Sequence, residues 1–221
     1  MAHVIRNFQR PQGLILRRSA NSARNHSRGA GQAWRSRLSH QADQAGLKIC
    51  GPAITAKCHI GDNLMIFEAI NLAKPGDVLV IDGGDNPNQG GFGDVLAAAC
   101  IGKGIVGFVV SAAVRDGKGL REIGFPVFSL GLCMKGTSKD TLGTINHPVV
   151  VGGELISPGD IVCGDDDGVV VVREKDIAKL VKACQERDDH ENHMMELHRQ
   201  GKMDIEDRYD MMRSKGCVWA D

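Results

Sequence analysis

Residues 74–116 read KPGDVLVIDGGDNPNQGGFGDVLAAACIGKGIVGFVVSAAVRD, and this stretch indicates the class of fold. It opens with a Pro-Gly turn, and the apolar residues 78–81 that follow are typical of a strand. A glycine-rich segment then leads to a predicted helix around residues 97–99. Residues 105–114 form an almost continuous apolar run, as expected of a strand that is covered on both faces. A strand, a helix and a second buried strand in succession predict an α/β domain.

Short strands and helices continue to alternate on both sides of this stretch, from Gly46 onward. Further strands are predicted at residues 54–59, 161–163 and 168–172. Asn63 is placed to cap a helix over residues 64–72. A long helix is predicted to begin near Glu174, and its apolar stripe consists of Ile177, Leu180, Val181 and Cys184.

The composition excludes several classes of function. With 42% hydrophobic and 24% charged residues, the 221-residue chain resembles an ordinary globular domain. Its 27 basic and 27 acidic side chains balance, which argues against a nucleic-acid binder, because phosphate contacts need a basic excess. Apolar runs fall short of the roughly 18 residues that a membrane span needs. Seven scattered cysteines without a C-x-x-C pair predict reduced thiols in a cytoplasmic protein, and neither a zinc site nor a disulfide framework.

The balanced charge hides an uneven distribution along the chain. Residues 1–45 carry eight arginines and a single acid, Asp43, whereas residues 46–221 carry an excess of acids. The first segment also lacks a sustained helical or strand period after Ile15. An Arg-rich, Ser-rich and acid-poor start is typical of a mitochondrial transit peptide, and a disordered basic arm is the alternative. The chain therefore divides into an anomalous segment, residues 1–45, and a domain, residues 46–221.

Two places carry residues that are suited to chemistry. In the glycine-rich residues 82–96, backbone N–H groups can converge on an anion at the N-terminus of the following helix, with a flexible surface loop as the alternative. Arg115 and Asp116 follow the apolar run of residues 105–114, at the rim of the predicted sheet. Arg115 offers two parallel donors to a carboxylate, and Asp116 offers a hard oxygen ligand for Mg²⁺ or Mn²⁺. The alternative for Asp116 is the N-cap of a solvated helix.

Several motifs, taken in their order and spacing, resemble one family. Gly93-Asp94-Val95-Leu96 is followed by Arg115-Asp116 and then by residues 120–128, while residues 61–63, 136–143 and 164–171 complete the pattern. Residues 46–221 thereby resemble the class II pyruvate aldolases of the RraA-like family, which act on 4-carboxy-4-hydroxy-2-oxoadipate and 4-hydroxy-4-methyl-2-oxoglutarate. The resemblance implies a single layered ββα domain with C-terminal helices. It also implies a homotrimer or homohexamer with active sites between subunits.

The resemblance further implies roles for individual residues. Asp116 would hold Mg²⁺ or Mn²⁺, largely completed by water, and Arg115 would bind the pyruvate-end carboxylate and the enolate oxygen. The same end of the substrate would be held by the backbone N–H groups of Gly93, Asp94, Val95 and Leu96. Asp94 and Glu191 would handle protons, with Glu191 reaching into a neighbouring subunit. Glu191 also lies in phase with the apolar stripe, and the alternative is an exposed Glu191 beyond a helix break near residues 188–189.

The reaction that the resemblance implies is the cleavage of a carbon–carbon bond. A small oxo-acid substrate would be split into pyruvate and oxaloacetate, or into two molecules of pyruvate, by way of a pyruvate enolate. A metal and a guanidinium are suited to the negative charge that develops on such an enolate. Oxaloacetate decarboxylation is expected as a side activity, because it passes through the same enolate. The alternative function is that of an RraA-type regulator, which inhibits a ribonuclease by protein contact and needs no catalysis.

The N-terminal segment departs from this family. The aldolases carry a motif resembling Ala-Thr-Ile-His-Glu-Ala-Gln-Gly, whose glutamate joins the catalytic network across a subunit interface. Residues 24–34 lie at the matching place and contain no acid. Permitted codons for these residues, read one base later, give that motif, so we hypothesise that roughly residues 11–45 are a frameshifted translation. Resequencing of the gene tests this hypothesis, and a verified reading frame as given would overturn it.

Overall fold

The computed structural model of the chain describes residues 2–10, 40–41, 46–203 and 206–219. The chain divides into two compact units, Met1–Cys184 and Gln185–Asp221. Within the first unit, Arg10 links residues 2–10 to the turn at residues 74–77. Its guanidinium donates hydrogen bonds of 2.8 and 2.6 Å to the buried carboxylate of Asp77. The suspected frameshift, about residues 11–45, lies outside the described residues except at residues 40–41, so it stays a hypothesis.

The secondary structure alternates between strands and helices from Ile49 onward. The strands are β1 (His3–Val4), β2 (His40–Gln41), β3 (Ile49–Lys57), β4 (Val78–Gly90), β5 (Gly107–Val114), β6 (Val127–Ser129), β7 (Gly131–Leu132), β8 (Thr144–Ile145), β9 (Val149–Val151), β10 (Glu154–Ile156), β11 (Ile161–Asp165) and β12 (Gly168–Val172). The α-helices are α1 (Leu64–Leu72), α2 (Asp94–Gly102), α3 (Gly117–Ile123), α4 (Ile177–Arg199) and α5 (Glu206–Ser214).

The central strands β3, β4, β5 and β6 lie side by side and parallel. The path through the larger sheet is β1-β8-β3-β4-β5-β6-β2, and β7 pairs with the end of β5. Strand β3 pairs with three strands: residues 49–52 pair with antiparallel β11, residues 53–57 pair with parallel β4, and residues 56–57 also pair with antiparallel β8. Strand β11 pairs in turn with β12, and β9 forms a separate hairpin with β10.

Alternate residues of the central strands face two different layers, since successive side chains of a strand point to opposite sides. On β4, Leu79 and Ile81 pack into a cluster with buried side chains of α1, α2 and α3. Val78 and Val80 pack instead into a cluster with buried side chains of β9, β10, β11 and β12. The result is a helical layer, a central sheet and a second β layer, which confirms the predicted layered ββα arrangement.

The long C-terminal helix follows its predicted course. It starts with a 3₁₀ turn, Glu174–Asp176, and continues as α4 to Arg199. Ile177 and Leu180 of the predicted stripe are buried in a cluster with β11 and β12. The helix break considered near residues 188–189 is wrong, because α4 runs through both residues.

Two other local expectations need correction. Residues 82–90 are not a flexible surface loop, because β4 continues to Gly90 and pairs with β5 through two register shifts. Asn63 stands at the N-cap position of α1 but makes no side-chain cap, and the carboxylate of Asp62 accepts the hydrogen bond from the Leu64 N–H instead. In both segments, backbone groups find partners that local propensity does not reveal.

The second unit contains the remainder of α4 and helix α5. On α4, Arg187 forms an ion pair with Glu191, one turn later. Beyond α5, Trp219 packs edge-on against Tyr209, with the ring centroids 5.8 Å apart. Within the described ranges, no helix is both long enough and apolar enough to cross a membrane.

Candidate functional site

The two segments singled out from the sequence meet where β4 and β5 end. Phe92 is 1% exposed and stacks on Phe108 of β5 at a centroid distance of 3.8 Å, which fixes the turn between β4 and α2. The carbonyl of Phe92 accepts a 2.8 Å hydrogen bond from the backbone N–H of Arg115. The glycine-rich segment and Arg115 therefore lie side by side at the carboxyl end of the parallel strands, where ligands of α/β sheets bind.

Asp116 has a strained backbone. Its φ and ψ are 57° and 39°, in the left-handed region that residues with a Cβ atom rarely adopt. Asp116 stands at the N-cap position of α3, as the alternative predicted, but its side chain makes no cap hydrogen bond. Strain of this kind costs about 1–3 kcal/mol and is concentrated at functional sites.

The carboxylate of Asp116 approaches Gly93 closely. A Cβ atom placed on Gly93 would lie 2.1 Å from Oδ2 of Asp116, so a larger residue at position 93 would displace this carboxylate from its present position. Nε of Arg115 lies 3.4 Å from the same oxygen. The side chains of Arg115 and Asp116 are 42% and 41% exposed, so the ion pair is open to a ligand.

Helix α2 begins beside this pair. Its N-cap residue Gly93 has no side chain, and the first-turn N–H groups of Asp94, Val95 and Leu96 have no partner within the helix. One of these donors is satisfied locally, because Oδ1 of Asp94 accepts a 2.7 Å hydrogen bond from the Val95 N–H. The carboxylate of Asp94 also lies against α3, since a Cβ atom on Gly119 would meet its Oδ2 at 2.5 Å. Gly93 thus lies against Arg115 and Asp116, and Asp94 lies against the helix that follows Asp116.

A buried acid that the sequence analysis did not single out organises the neighbouring segment. Asp62 is 5% exposed, and its carboxylate accepts hydrogen bonds from the N–H groups of Leu64, Asp140 and Thr141 and from the hydroxyl of Ser138. Burial by itself would raise the pKa of this carboxyl, but the four donors outweigh it and lower the pKa from 3.8 to about 2. The ionised Asp62 therefore holds residues 136–141 at the start of α1. The Gly61-Asp62-Asn63 turn was the available signal.

The segment of residues 136–141, here called the anchored segment, lies against Arg115. A Cβ atom on Gly136 would be 3.8 Å from Nη1 of Arg115. The Gly136 carbonyl accepts a 3.3 Å hydrogen bond from the side chain of Gln89 in β4. The Gly90 N–H donates to the carbonyl of Lys135 at 2.8 Å. The end of β4 and the anchored segment therefore flank the side chain of Arg115.

A small pocket that is open to solvent adjoins this arrangement. It shares Gly91 and Phe92 with the turn before α2, and Asp62 and Thr137 with the loop region that Asp62 organises. Oγ1 of Thr137 and Oδ1 of Asn63 are buried without a hydrogen-bond partner. Because buried polar atoms usually have partners, these two atoms are candidates for a hydrogen bond to a bound water or to a polar group of a ligand.

The donor set of the site fits a divalent cation that keeps most of its water. In the part of the chain that the structure describes, no three His, Cys, Asp or Glu side chains converge as a metal-binding group. Asp116 contributes one half-exposed carboxylate that caps no helix. Mg²⁺ commonly takes one or two carboxylates and retains several waters. Asp116 could therefore hold such an ion in the way that the family resemblance implies.

Glu191, the other predicted proton-handling acid, lies in the second unit. Nε of Arg187 donates a 2.8 Å hydrogen bond to its carboxylate, and the Glu191 side chain is 26% exposed. The expected role of Glu191 in the site of a neighbouring subunit stays a prediction.

Proteins of one family are similar to this chain. The family model described as RraA-like, Aldolase/RraA, matches residues 23–171. A protein of Halalkalibacterium halodurans, provisionally named a 4-hydroxy-4-methyl-2-oxoglutarate aldolase, is 37% identical over 145 residues. The match covers 64% of this chain and 69% of that protein.

Two solved structures share the fold. An uncharacterised protein from Pseudomonas syringae superposes with a TM-score of 0.79 at 21% identity, over 89% of this chain and 97% of that one. RraAS2 from Streptomyces coelicolor, described as an unusual member of the RNase ES inhibitor RraA protein family, superposes with a TM-score of 0.72. It is 29% identical, over 85% of this chain and 98% of RraAS2.

Proposed function

This chain belongs to the RraA-like family, and on that basis we propose that it is a class II pyruvate aldolase, a lyase that uses a divalent metal. It would cleave 4-carboxy-4-hydroxy-2-oxoadipate into pyruvate and oxaloacetate, or 4-hydroxy-4-methyl-2-oxoglutarate into two pyruvates. One observation carries the proposal: the Asp116 carboxylate is held by a strained backbone against Gly93 and beside Arg115. The Asp116 carboxylate, as the ligand for a metal, and the Arg115 guanidinium, as the donor to the substrate, therefore lie side by side.

Arg115 binds the 2-oxo acid end of the substrate in this mechanism. Its guanidinium offers two parallel N–H donors to the substrate carboxylate, a geometry that an ammonium group cannot reproduce. The backbone hydrogen bond from the Arg115 N–H to the Phe92 carbonyl fixes the main chain of Arg115 before the substrate arrives. The N-terminus of α2 adds partial positive charge on the same side, which favours an anion there.

Cleavage of the bond between C3 and C4 leaves an electron pair that delocalises onto the C2 oxygen. Arg115 and the first-turn N–H groups of α2 are fixed dipoles and charges that stabilise this developing oxyanion without reorganising. A divalent cation held by Asp116, Mg²⁺ or Mn²⁺, supplies additional stabilisation of the same charge when bound. The same arrangement accounts for the proposed decarboxylation of oxaloacetate, since that reaction also leaves a pyruvate enolate.

Two proton transfers complete the reaction. A base removes the proton of the C4 hydroxyl, and an acid delivers a proton to C3 of the enolate. We assign Asp94 to this network because its carboxylate lies at the start of α2, next to the residues that hold the substrate. Glu191 of a neighbouring subunit is the second proposed member, which requires a homotrimer or homohexamer.

Release of pyruvate, coupled to lactate dehydrogenase, tests the proposal with both substrates. We expect turnover that depends on Mg²⁺ or Mn²⁺ and stops on addition of EDTA. A chain in which residues 11–45 are restored to the second reading frame is the matched comparison. It regains the family's glutamate, so it should turn over about 10²–10⁴-fold faster than the chain as given. Release of pyruvate that EDTA leaves unchanged would refute the metal dependence, and equal rates would refute the frameshift hypothesis.

The similarity to RraAS2 favours a second candidate, a regulator that inhibits a ribonuclease by binding it. Such a protein needs neither the metal nor the Asp116 carboxylate. Ribonuclease inhibition that is equally strong for the wild type and for Asp116→Asn, together with no pyruvate release from either chain, would support this function over the aldolase.

A further inference from the structure

Two cysteines face each other across the pair of strands β3 and β11. Cys50 and Cys163 are direct partners in the antiparallel register, and their Sγ atoms lie 3.0 Å apart. In the structure both side chains are reduced thiols that are not joined by a disulfide. The composition predicted scattered reduced thiols, but the fold brings these two together from positions 113 residues apart in the chain.

We propose that Cys50 and Cys163 form an oxidation site. A low-molecular-weight disulfide such as oxidised glutathione would oxidise the two thiols to an intramolecular disulfide. The Cys50 thiolate attacks one sulfur of the oxidant, which forms a mixed disulfide and releases one glutathione thiolate. The Cys163 thiolate then attacks the Cys50 sulfur, so that the protein disulfide forms and the second glutathione leaves. The two protein thiols lose two electrons and two protons, and oxidised glutathione is reduced to two glutathione molecules.

The backbone geometry permits this bond. The Cα atoms of directly opposed residues on antiparallel strands lie about 4.5–5.5 Å apart. Disulfides span Cα distances of roughly 4.4–6.8 Å, and their S–S bond is about 2.05 Å long. Closing the 3.0 Å contact therefore needs a sulfur movement of about 1 Å, which a small χ1 rotation supplies.

Exposure assigns the order of the two steps. Cys50 is half-buried, so an oxidant can reach it, whereas Cys163 is 1% exposed. The contact with Cys50, burial, and the proximity of Cys184 and Asp165 all raise the pKa of the Cys163 thiol. The thiolate of Cys163 is therefore scarce near neutral pH, and the second step should accelerate as the pH rises.

The bond would affect stability rather than the proposed catalytic site. Cys50 lies in the half of β3 that pairs with β11, at the start of the strand, whereas Arg115 and Asp116 follow the end of parallel β5. A covalent link between β3 and β11 restricts the unfolded chain over a long loop, which stabilises the folded state. The proposal is therefore independent of the aldolase assignment.

The test is oxidation of the full-length folded chain with oxidised glutathione, followed by alkylation, proteolysis and mass spectrometry without reduction. We expect a cross-linked peptide that contains Cys50 and Cys163, and a thermal midpoint that rises on oxidation and returns with dithiothreitol. Cys133→Ser is the matched control, because Cys133, like Cys50, is a half-buried cysteine, and this variant should leave the cross-link intact. Cys163→Ser should stop at a glutathione adduct on Cys50.

Peptide mapping of the wild type carries the test even where a variant folds poorly. The proposal would be overturned if, after prolonged oxidation, Cys50 and Cys163 were both recovered alkylated in separate peptides. A cross-link from Cys50 to Cys184 instead would overturn it as well, since it would assign the buried partner wrongly.

Discussion

Replacing Gly93 with alanine tests the geometry on which the proposed site depends. The new Cβ atom would lie 2.1 Å from Oδ2 of Asp116, whereas ordinary van der Waals contact begins at 3.4 Å. The carboxylate must therefore move by more than about 1 Å, and a misplacement of that size can cost about 10²-fold in rate. The backbone of Gly93 does not oppose the substitution, because its φ of −149° is open to any residue.

The expected result is a loss of activity without a loss of folding. We expect kcat/KM for pyruvate release to fall about 10²-fold in Gly93→Ala. Alanine is a poorer N-cap than glycine, so the free energy of unfolding should fall by no more than about 1 kcal/mol. Coupled lactate dehydrogenase kinetics and denaturant unfolding measure the two quantities on the same preparation.

Gly102→Ala is the matched control for this experiment. Gly102 ends the same helix, and a Cβ atom there would meet nothing within 4 Å. This variant should keep wild-type activity and gain up to about 1 kcal/mol of stability through helix propensity. Wild-type kcat/KM in Gly93→Ala would refute the reasoning, because the Asp116 carboxylate would then be free to leave its position without consequence.

Four further substitutions test the other assignments. Asp116→Asn should keep the fold, measured by circular dichroism, and lose the stimulation of turnover by Mg²⁺; full activity at low Mg²⁺ would refute the metal assignment. Arg115→Lys should lower kcat/KM about 10²-fold, and undiminished turnover would show that two parallel donors are not needed. Asp62→Asn should cost about 2 kcal/mol of unfolding free energy, since charged hydrogen bonds contribute roughly 1.5–3 kcal/mol each. Because the pKa of Asp62 is lowered to about 2, its contribution is full above about pH 4 and is lost as the pH falls towards 2, so acid unfolding curves of wild type and variant should converge there. Glu191→Gln should slow turnover about 10²-fold or more, whereas its affinity for the metal, measured by calorimetry, should be unchanged. An unchanged rate would remove Glu191 from the proton-transfer network.

The elements that could be predicted from the sequence are those whose signal is local. Residues 78–81 belong to β4 and residues 107–114 of the second apolar run form β5, because burial on both faces favours apolar side chains along most of a strand. The stripe on α4 appears at helical spacing for the same reason. The extension of β4 through residues 82–90 gave no such signal. Its Gly, Asp, Asn and Pro residues disfavour strands locally, and pairing with β5 overrides that preference.

The residues of the candidate site could likewise be predicted in part from the sequence, whereas the contacts between them could not. From residue types alone, the sequence indicated the glycine-rich residues 82–96 together with Arg115 and Asp116, and the family resemblance added the roles of Gly93 and Asp94. The sequence could not show that the Asp116 carboxylate abuts Gly93, nor that Asp62 anchors residues 136–141 beside Arg115. These contacts join residues far apart in the chain and depend on the parallel pairing of β4 with β5 and on a left-handed backbone at Asp116. Only the packed tertiary structure sets them, since the energy that holds such a conformation comes from the surrounding fold and not from the local sequence.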